Sequence, residues 1–275
     1  MSPDGHAVAD RAARLASEAL TRELATYPKP GLVSYRDSGS HSDMAAKTLE
    51  AGIRALREWF RRLALAGFRG APLAELRQLG LEADACMLDA TGGVNTHRGA
   101  LYALGLLAAA AGRRAAGRAG TPDEPLGAIV RRCWGRQLAA PDGGGGPGRG
   151  LMPHRLAGAR GEAAAGFPHV YRVALPALRR AAARQAQEDA QAHCLFAVAA
   201  RLADTNVLRR GGPAGLRWAR AAAGEFMAHG GVHQPRWRRR AESIHRAFVR
   251  RRLSAGGAAD LLAVAIFVNA WEELP

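Results

Sequence analysis

Apolar residues return every three or four positions along nearly the whole chain, and the two-residue alternation of a half-buried strand is almost missing. Val8, Ala12, Leu15, Ala19 and Leu24 follow this rhythm in 6–25, as do Leu49, Ile53, Leu56, Phe60 and Leu63 in 44–66. Segment 72–90 carries Leu73, Leu76, Leu79, Met87 and Leu88, with a break expected near Gly80. Residues 98–111 are apolar on almost every face, the pattern of a helix at the centre of a fold. Further helices are expected near 122–139, 168–184, 187–203, 213–228, 236–252 and 258–272. Ala, Leu and Arg dominate while Ile and Thr are scarce, so local preference agrees with the periodicity. The expectation is all-α: a single globular domain over 1–275 of about ten helices, with its site in polar loops at helix N-termini. At this length folding buries roughly three quarters of the surface of the unfolded chain, so no disulfide or metal is needed to hold a core.

Charge narrows the partners less than it first promises. The formal net charge is +15, and among 39 basic residues only Lys29 and Lys47 are lysines. Such an arginine skew, beside abundant Ala and Gly, is what codon bias in a GC-rich genome produces, and much of it reads as a solvated surface. The functional alternative is attraction to polyanions: nucleic acid, an anionic membrane or phosphorylated small molecules. No reading helix, zinc finger or aromatic sheet motif accompanies the charge, so no nucleic-acid partner is expected. The longest apolar runs, 99–112 and 261–271, fall short of the roughly 20 residues of a membrane span. No secretory leader is visible at Met1-Ser2-Pro3-Asp4-Gly5-His6. Cys86, Cys133 and Cys194 are too scattered to hold zinc and read as thiols of a reducing, cytoplasmic compartment. The Gly-rich stretch 141–150 reads as a flexible connection or lid. Its formal match to a dinucleotide fingerprint is discounted, because no strand precedes it.

Polar residues gather in four interruptions of the helical pattern. The first runs Tyr27-Pro28-Lys29-Pro30-Gly31-Leu32-Val33-Ser34 and on through Asp37-Ser38-Gly39-Ser40-His41-Ser42-Asp43-Met44. Two prolines give an extended entry, and the following helix start offers free N–H groups to a phosphate. Ser42 or Asp43 as an N-cap explains one of these residues, but not Lys29 and His41 with it. The second is Thr91-Gly92-Gly93-Val94-Asn95-Thr96-His97-Arg98-Gly99. Gly92 and Gly93 serve as a helix stop and Asn95 or Thr96 as a cap, yet His97 and Arg98 then open an otherwise apolar helix. The third is Gly158-Ala159-Arg160-Gly161-Glu162, equally readable as a turn with an ion pair. The fourth is Asp204-Thr205-Asn206-Val207 with Arg209-Arg210-Gly211-Gly212, where oxygen donors suit Mg²⁺ or a ribose and Arg210 suits a phosphate. A turn at Leu253-Ser254-Ala255-Gly256-Gly257-Ala258-Ala259-Asp260 leads into the last helix. His193 reads as a core histidine, and the arginine runs 236–240 and 250–252 as helix surface.

Taken in order, Pro28-Lys29-Pro30-Gly31-Leu32-Val33, Gly39-Ser40-His41-Ser42-Asp43-Met44, Thr91 to Gly99, Arg160-Gly161-Glu162 and Asp204-Thr205-Asn206-Val207 with Arg210-Gly211-Gly212 resemble the triphosphoribosyl-dephospho-CoA synthases, from about residue 20 to about 270. The resemblance implies a transferase that converts ATP and 3′-dephospho-CoA to 2′-(5″-triphosphoribosyl)-3′-dephospho-CoA and adenine. Its product is the precursor of an acyl carrier protein's prosthetic group, handed on to a holo-acyl-carrier-protein synthase. The first segment and the Thr91-Gly92-Gly93 and Arg98 variants look more like the branch serving malonate decarboxylase than the one serving citrate lyase. The final turn departs from the family's Ser-Pro-Gly-Gly-Ser-Ala-Asp wording but keeps Asp260.

The implied chemistry is substitution at the anomeric carbon of the ATP ribose through an oxocarbenium-like transition state. It needs a base for the attacking 2′-hydroxyl, a proton for adenine and cations for the triphosphate. By residue chemistry Asp43 and Asp204 are expected at Mg²⁺ or in the base role, with Glu162 as the other base, and His97 or His41 as the acid. Lys29, Arg98, Arg160 and Arg210 are expected on phosphates. Ser40, Gly93, Asn95, Thr96, Asn206, Gly211 and Asp260 complete the substrate site. A Mg²⁺-dependent ADP-ribosyl hydrolase is the alternative of another class, since it too works at a ribose carbon from helix-end loops. A monomer and a homodimer are both open.

Overall fold

A computed structural model describes residues 3–140 and 158–272, and among these every regular element is helical. The stretch 141–150 lies outside the described residues. The chain runs α1 (Pro3–Ala25), α2 (Ala46–Arg69), α3 (Leu73–Ala90), α4 (Arg98–Ala115), α5 (Leu126–Ala139) and α6 (Gly158–Ala164). A π-helical turn, Val170–Ala174, feeds α7 (Leu175–Ala182), and α8 (Gln187–Ala199) and α9 (Thr205–Ala228) follow. A 3₁₀ turn, Gly231–His233, precedes α10 (Trp237–Arg250) and α11 (Gly256–Glu272).

The helix with no polar face becomes the axis. Ala100 to Gly112 of α4 is buried except for Tyr102, and α1, α2, α3, α5 and α11 pack around it. The closest of these contacts depends on missing side chains. A Cβ on Gly67 would stand 1.9 Å from the Ala109 carbonyl oxygen, and one on Gly112 would stand 2.0 Å from that of Ala64. Two glycines facing each other's helix thus let the α2 and α4 backbones touch. The other all-apolar helix, α11, packs against α1, α4 and α8 and completes the core with Leu262, Val264, Ile266 and Phe267.

Four expectations from the sequence change. The break near Gly80 is absent: α3 is continuous, and Gly80 faces open space, so the residue costs backbone entropy without bending the helix. Neither Ser42 nor Asp43 caps α2. The cap position falls on Ala45, whose N–H donates to Thr48 Oγ1 at 3.2 Å, which leaves both polar residues in the loop. The helix expected at 213 begins at Thr205, with Gly212 (φ 62°) and Pro213 kinking it, so the sequence signal marked a bend and not a start. The third polar segment forms the short helix α6. A Gly112→Ala variant should lose about 1–3 kcal/mol of stability through overpacking, read as a lowered urea midpoint with an unchanged slope, whereas Gly80→Ala should lose nothing.

Candidate active site

The loops that interrupt the helices meet in one cavity of about 560 Å³. The N-termini of α4, α9 and α11 converge on its floor, and each finds a carboxylate. Asp204, the N-cap of α9, accepts the N–H groups of Asn206 at 2.9 Å and Val207 at 3.2 Å on Oδ1. Its Oδ2 accepts Ala258 N–H at 3.0 Å from α11, and Gly257 N–H also binds the carboxylate. Asp260, on α11, accepts Ala100 N–H from α4. It lies so close to that helix that a Cβ on Gly99 would stand 2.0 Å from its Oδ2.

These acids sit in a low-dielectric floor. Burial raises the Asp204 carboxyl, and the four backbone donors pull it back. Burial, then the charges of Asp204 and Glu23, push Asp260 well above the ordinary carboxylate range, and the Ala100 N–H opposes the shift. Lys29 is 1% exposed, and its Nζ donates to Glu23 Oε1 at 2.7 Å and to the Glu23 carbonyl at 2.8 Å. Burial lowers its pKa, and Glu23 opposes the shift. His97, at the head of α4, is buried with its Nδ1 2.9 Å from Thr96 Oγ1. Burial, reinforced by Lys29, pushes it down to about 4, so the ring is neutral at pH 7.

Above the floor the lining turns basic and wet. Arg98, 55% exposed, pairs with Asp84 at 2.9 Å, while Asn95 Oδ1 accepts Arg98 N–H at 3.1 Å. Arg210 donates to the carbonyls of Ser40 at 3.1 Å and Arg252 at 3.3 Å, and its second nitrogen lies 3.3 Å from His41 Nδ1. The His41 Nε2 is 3.0 Å from Ser254 Oγ, and Asp43 stands 3.5 Å from Nδ1 with its carboxylate at 59% exposure. Burial, then Arg210, lowers the His41 pKa. Opposite, Glu162 holds His169 through Nδ1 at 2.5 Å and its N–H at 3.2 Å, and this carboxylate raises the His169 pKa.

Twelve of the residues chosen from sequence therefore line a single cavity: Lys29, His41, Asp43, Asn95, Thr96, His97, Arg98, Glu162, Asp204, Asn206, Arg210 and Asp260. Four are placed beside it. Ser40 Oγ donates to the Leu253 carbonyl at 2.6 Å and anchors its loop to the α10–α11 turn. Gly93 ends α3, its N–H on the Leu88 carbonyl at 2.7 Å. Arg160 spends its guanidinium on the carbonyls of Leu138 and Ala140 at the end of α5. Gly211 packs against the Leu253 side chain. Sequence reasoning passed over Glu23, Arg209 and His169. Glu23 looked like one more helical acid, and only the fold brings Lys29 back onto it. Among the described residues, no three His, Cys, Asp or Glu side chains gather as a metal cage. No helix among the described residues is long and apolar enough to cross a membrane.

Comparison with known proteins gives this cavity a context. Residues 9–133 and 152–275 match the sequence model of a family described as ATP:dephospho-CoA triphosphoribosyl transferase. A 2-(5″-triphosphoribosyl)-3′-dephosphocoenzyme-A synthase of Pectobacterium atrosepticum is 39% identical over 90% of this chain and 85% of its own length. A Klebsiella pneumoniae protein of the same name is 38% identical over 94% of this chain and 93% of its own. A probable synthase of Azotobacter vinelandii is 40% identical over 97% and 93%. No solved structure matches.

Two outcomes follow from the charges alone. Lys29→Met, which strands Glu23 in the floor, should cost about 3–5 kcal/mol in denaturant unfolding, and a Glu23→Leu/Lys29→Met double variant should recover most of it. Because Glu162 raises the His169 pKa, that pair stabilises the fold below the unfolded histidine value near 6.5 and stops doing so as pH rises through the raised one. His169→Ala should therefore cost stability at pH 6 and little at pH 9, read by urea melts at both.

Proposed function

This chain belongs to the ATP:dephospho-CoA triphosphoribosyl transferase family, and we propose that it makes 2′-(5″-triphosphoribosyl)-3′-dephospho-CoA for the acyl carrier protein of malonate decarboxylase. The transferase class carries the reading over an ADP-ribosyl hydrolase because the match covers both halves of the chain. The malonate decarboxylase branch rests on the wording of Tyr27-Pro28-Lys29-Pro30-Gly31-Leu32-Val33-Ser34 and of Thr91-Gly92-Gly93. The same reaction serving citrate lyase is the second reading. The product passes to a holo-acyl-carrier-protein synthase.

The single observation behind the chemistry is the cavity's split between exposed arginines at the mouth and buried acids at the floor. Arg98, Arg209 and Arg210 hold the triphosphate at the mouth, where forked donors match phosphate oxygens. Glu162 takes the base role. Asp204 has its four acceptor sites engaged by backbone N–H groups, whereas Glu162, among the described residues, is hydrogen-bonded by His169 alone and keeps lone pairs for a hydroxyl proton. His169 behind it is a positioning residue. The 2′-oxygen of dephospho-CoA forms the bond to the ribose carbon as the bond to adenine breaks, and adenine leaves with that electron pair. The proton lost by the hydroxyl balances the one adenine gains. Mg²⁺ is expected with ATP, where it would offset phosphate charge. Such an ion would need one or two carboxylates of the protein besides phosphate and water, and exposed Asp43 would hold it.

Incubating the purified chain with ATP and dephospho-CoA should release one adenine per transfer by chromatography; no adenine under any divalent-metal condition sinks the transferase reading. Arg210→Ala should raise the KM for ATP at least tenfold, and Glu162→Gln should cut kcat by two orders of magnitude or more. Deleting the gene should abolish growth on malonate and spare citrate fermentation; the reverse pattern assigns the chain to citrate lyase.

A further inference from the structure

One polar atom at the closed end of the cavity is left without a partner. His97 is 4% exposed and lines the cavity, with Nδ1 turned to Thr96 Oγ1. Its Nε2 is buried, and no described residue gives it a hydrogen bond. Orphaned buried nitrogens of this kind are rare, since each forfeits its hydration, and at a functional site they call for a ligand. Besides the paired Glu23 and Lys29 and the capped Asp204, the buried lining is mostly apolar, including Leu20, Val33, Leu49, Ala103, Phe167 and Leu261. The exposed lining carries the arginines. A ligand matched to both ends has a flat, weakly polar head and a polyanionic tail.

We infer that ATP enters base first, with the adenine that the reaction releases seated in the apolar end, one edge bonded to His97 Nε2, and the triphosphate at the arginine mouth. This rests on the transferase reading and adds to it the direction in which one substrate lies. Adenine carries both an amino donor and ring acceptors, so it satisfies Nε2 in either histidine tautomer. The ribose carbon then falls between the two ends, near Glu162, and dephospho-CoA must approach from the mouth. Because the ring is neutral well below pH 6, the contact is a hydrogen bond whose strength stays level from pH 6 to 8.

The test is calorimetric titration of free adenine into the wild-type chain, His97→Phe and His97→Asn, with steady-state kinetics on the same proteins. His97→Phe should weaken adenine binding and raise the KM for ATP at least tenfold, and leave the KM for dephospho-CoA within twofold; His97→Asn should recover part of the loss. Adenine affinity unchanged in His97→Phe, or an effect confined to dephospho-CoA, overturns the assignment. Should His97→Phe fail to fold by circular dichroism, the wild type is titrated with purine and 7-deazaadenine, which each lack one edge group. Equal affinity for adenine and both analogues then overturns it. A wild type that binds adenine through His97 yet releases none from ATP would leave this subsite standing and remove the transferase reading.

Discussion

Everything at the working end of this molecule hangs on two carboxylates meeting helix N-termini. Asp204 gathers backbone donors from α9 and α11, and Asp260 takes one from α4. Each helix start would otherwise leave N–H groups exposed in a buried place, at a cost that packing elsewhere would have to meet. With the aspartates there, three helices that are distant in sequence are pinned to a common floor. The loops between them are then forced to face one another. A cavity lined by segments near residues 30, 43, 97, 162, 206 and 257 is the geometric consequence.

The same floor explains why Lys29 is buried. Asp204 and Glu23 bring negative charge into an apolar setting, and one ammonium with a 2.7 Å contact to Glu23 offsets part of it. Beside them Asp260 is pushed well above the ordinary carboxylate range by burial and by those two charges. Lys29 was expected on a phosphate from its motif. Its Nζ gives two of its three donors to Glu23, and the side chain lines the cavity.

Much of this was legible in the sequence, and the failures have physical reasons. Helix existence followed from periodicity because burial of one face decides it, and the faceless segment 98–111 was correctly central. Polar loops stood out because a helix tolerates such clusters poorly. Boundaries moved where local chemistry was ambiguous. Gly212 and Pro213 look the same whether a helix starts there or bends there, and Gly80 breaks nothing when its face is open. Glu23, Arg209 and His169 stayed hidden for a different reason. An acid inside α1 gains its meaning only from Lys29 folding back on it, and no spacing rule encodes that contact.

The +15 charge now divides by position. In the late helices Arg238 pairs with Asp189 and lies over Trp237, Arg240 binds Gln234, and Arg251 stacks on Trp218. These arginines are surface packing, with their charge facing solvent and ions. Of the cavity's histidines, His97 at the closed end is neutral by burial, and His41 nearer the mouth is lowered by burial and by Arg210. The positive field at the mouth therefore comes from guanidinium groups, which stay protonated across the whole physiological range. A site built this way binds a triphosphate with an affinity that falls as salt rises, because exposed guanidinium charges are screened.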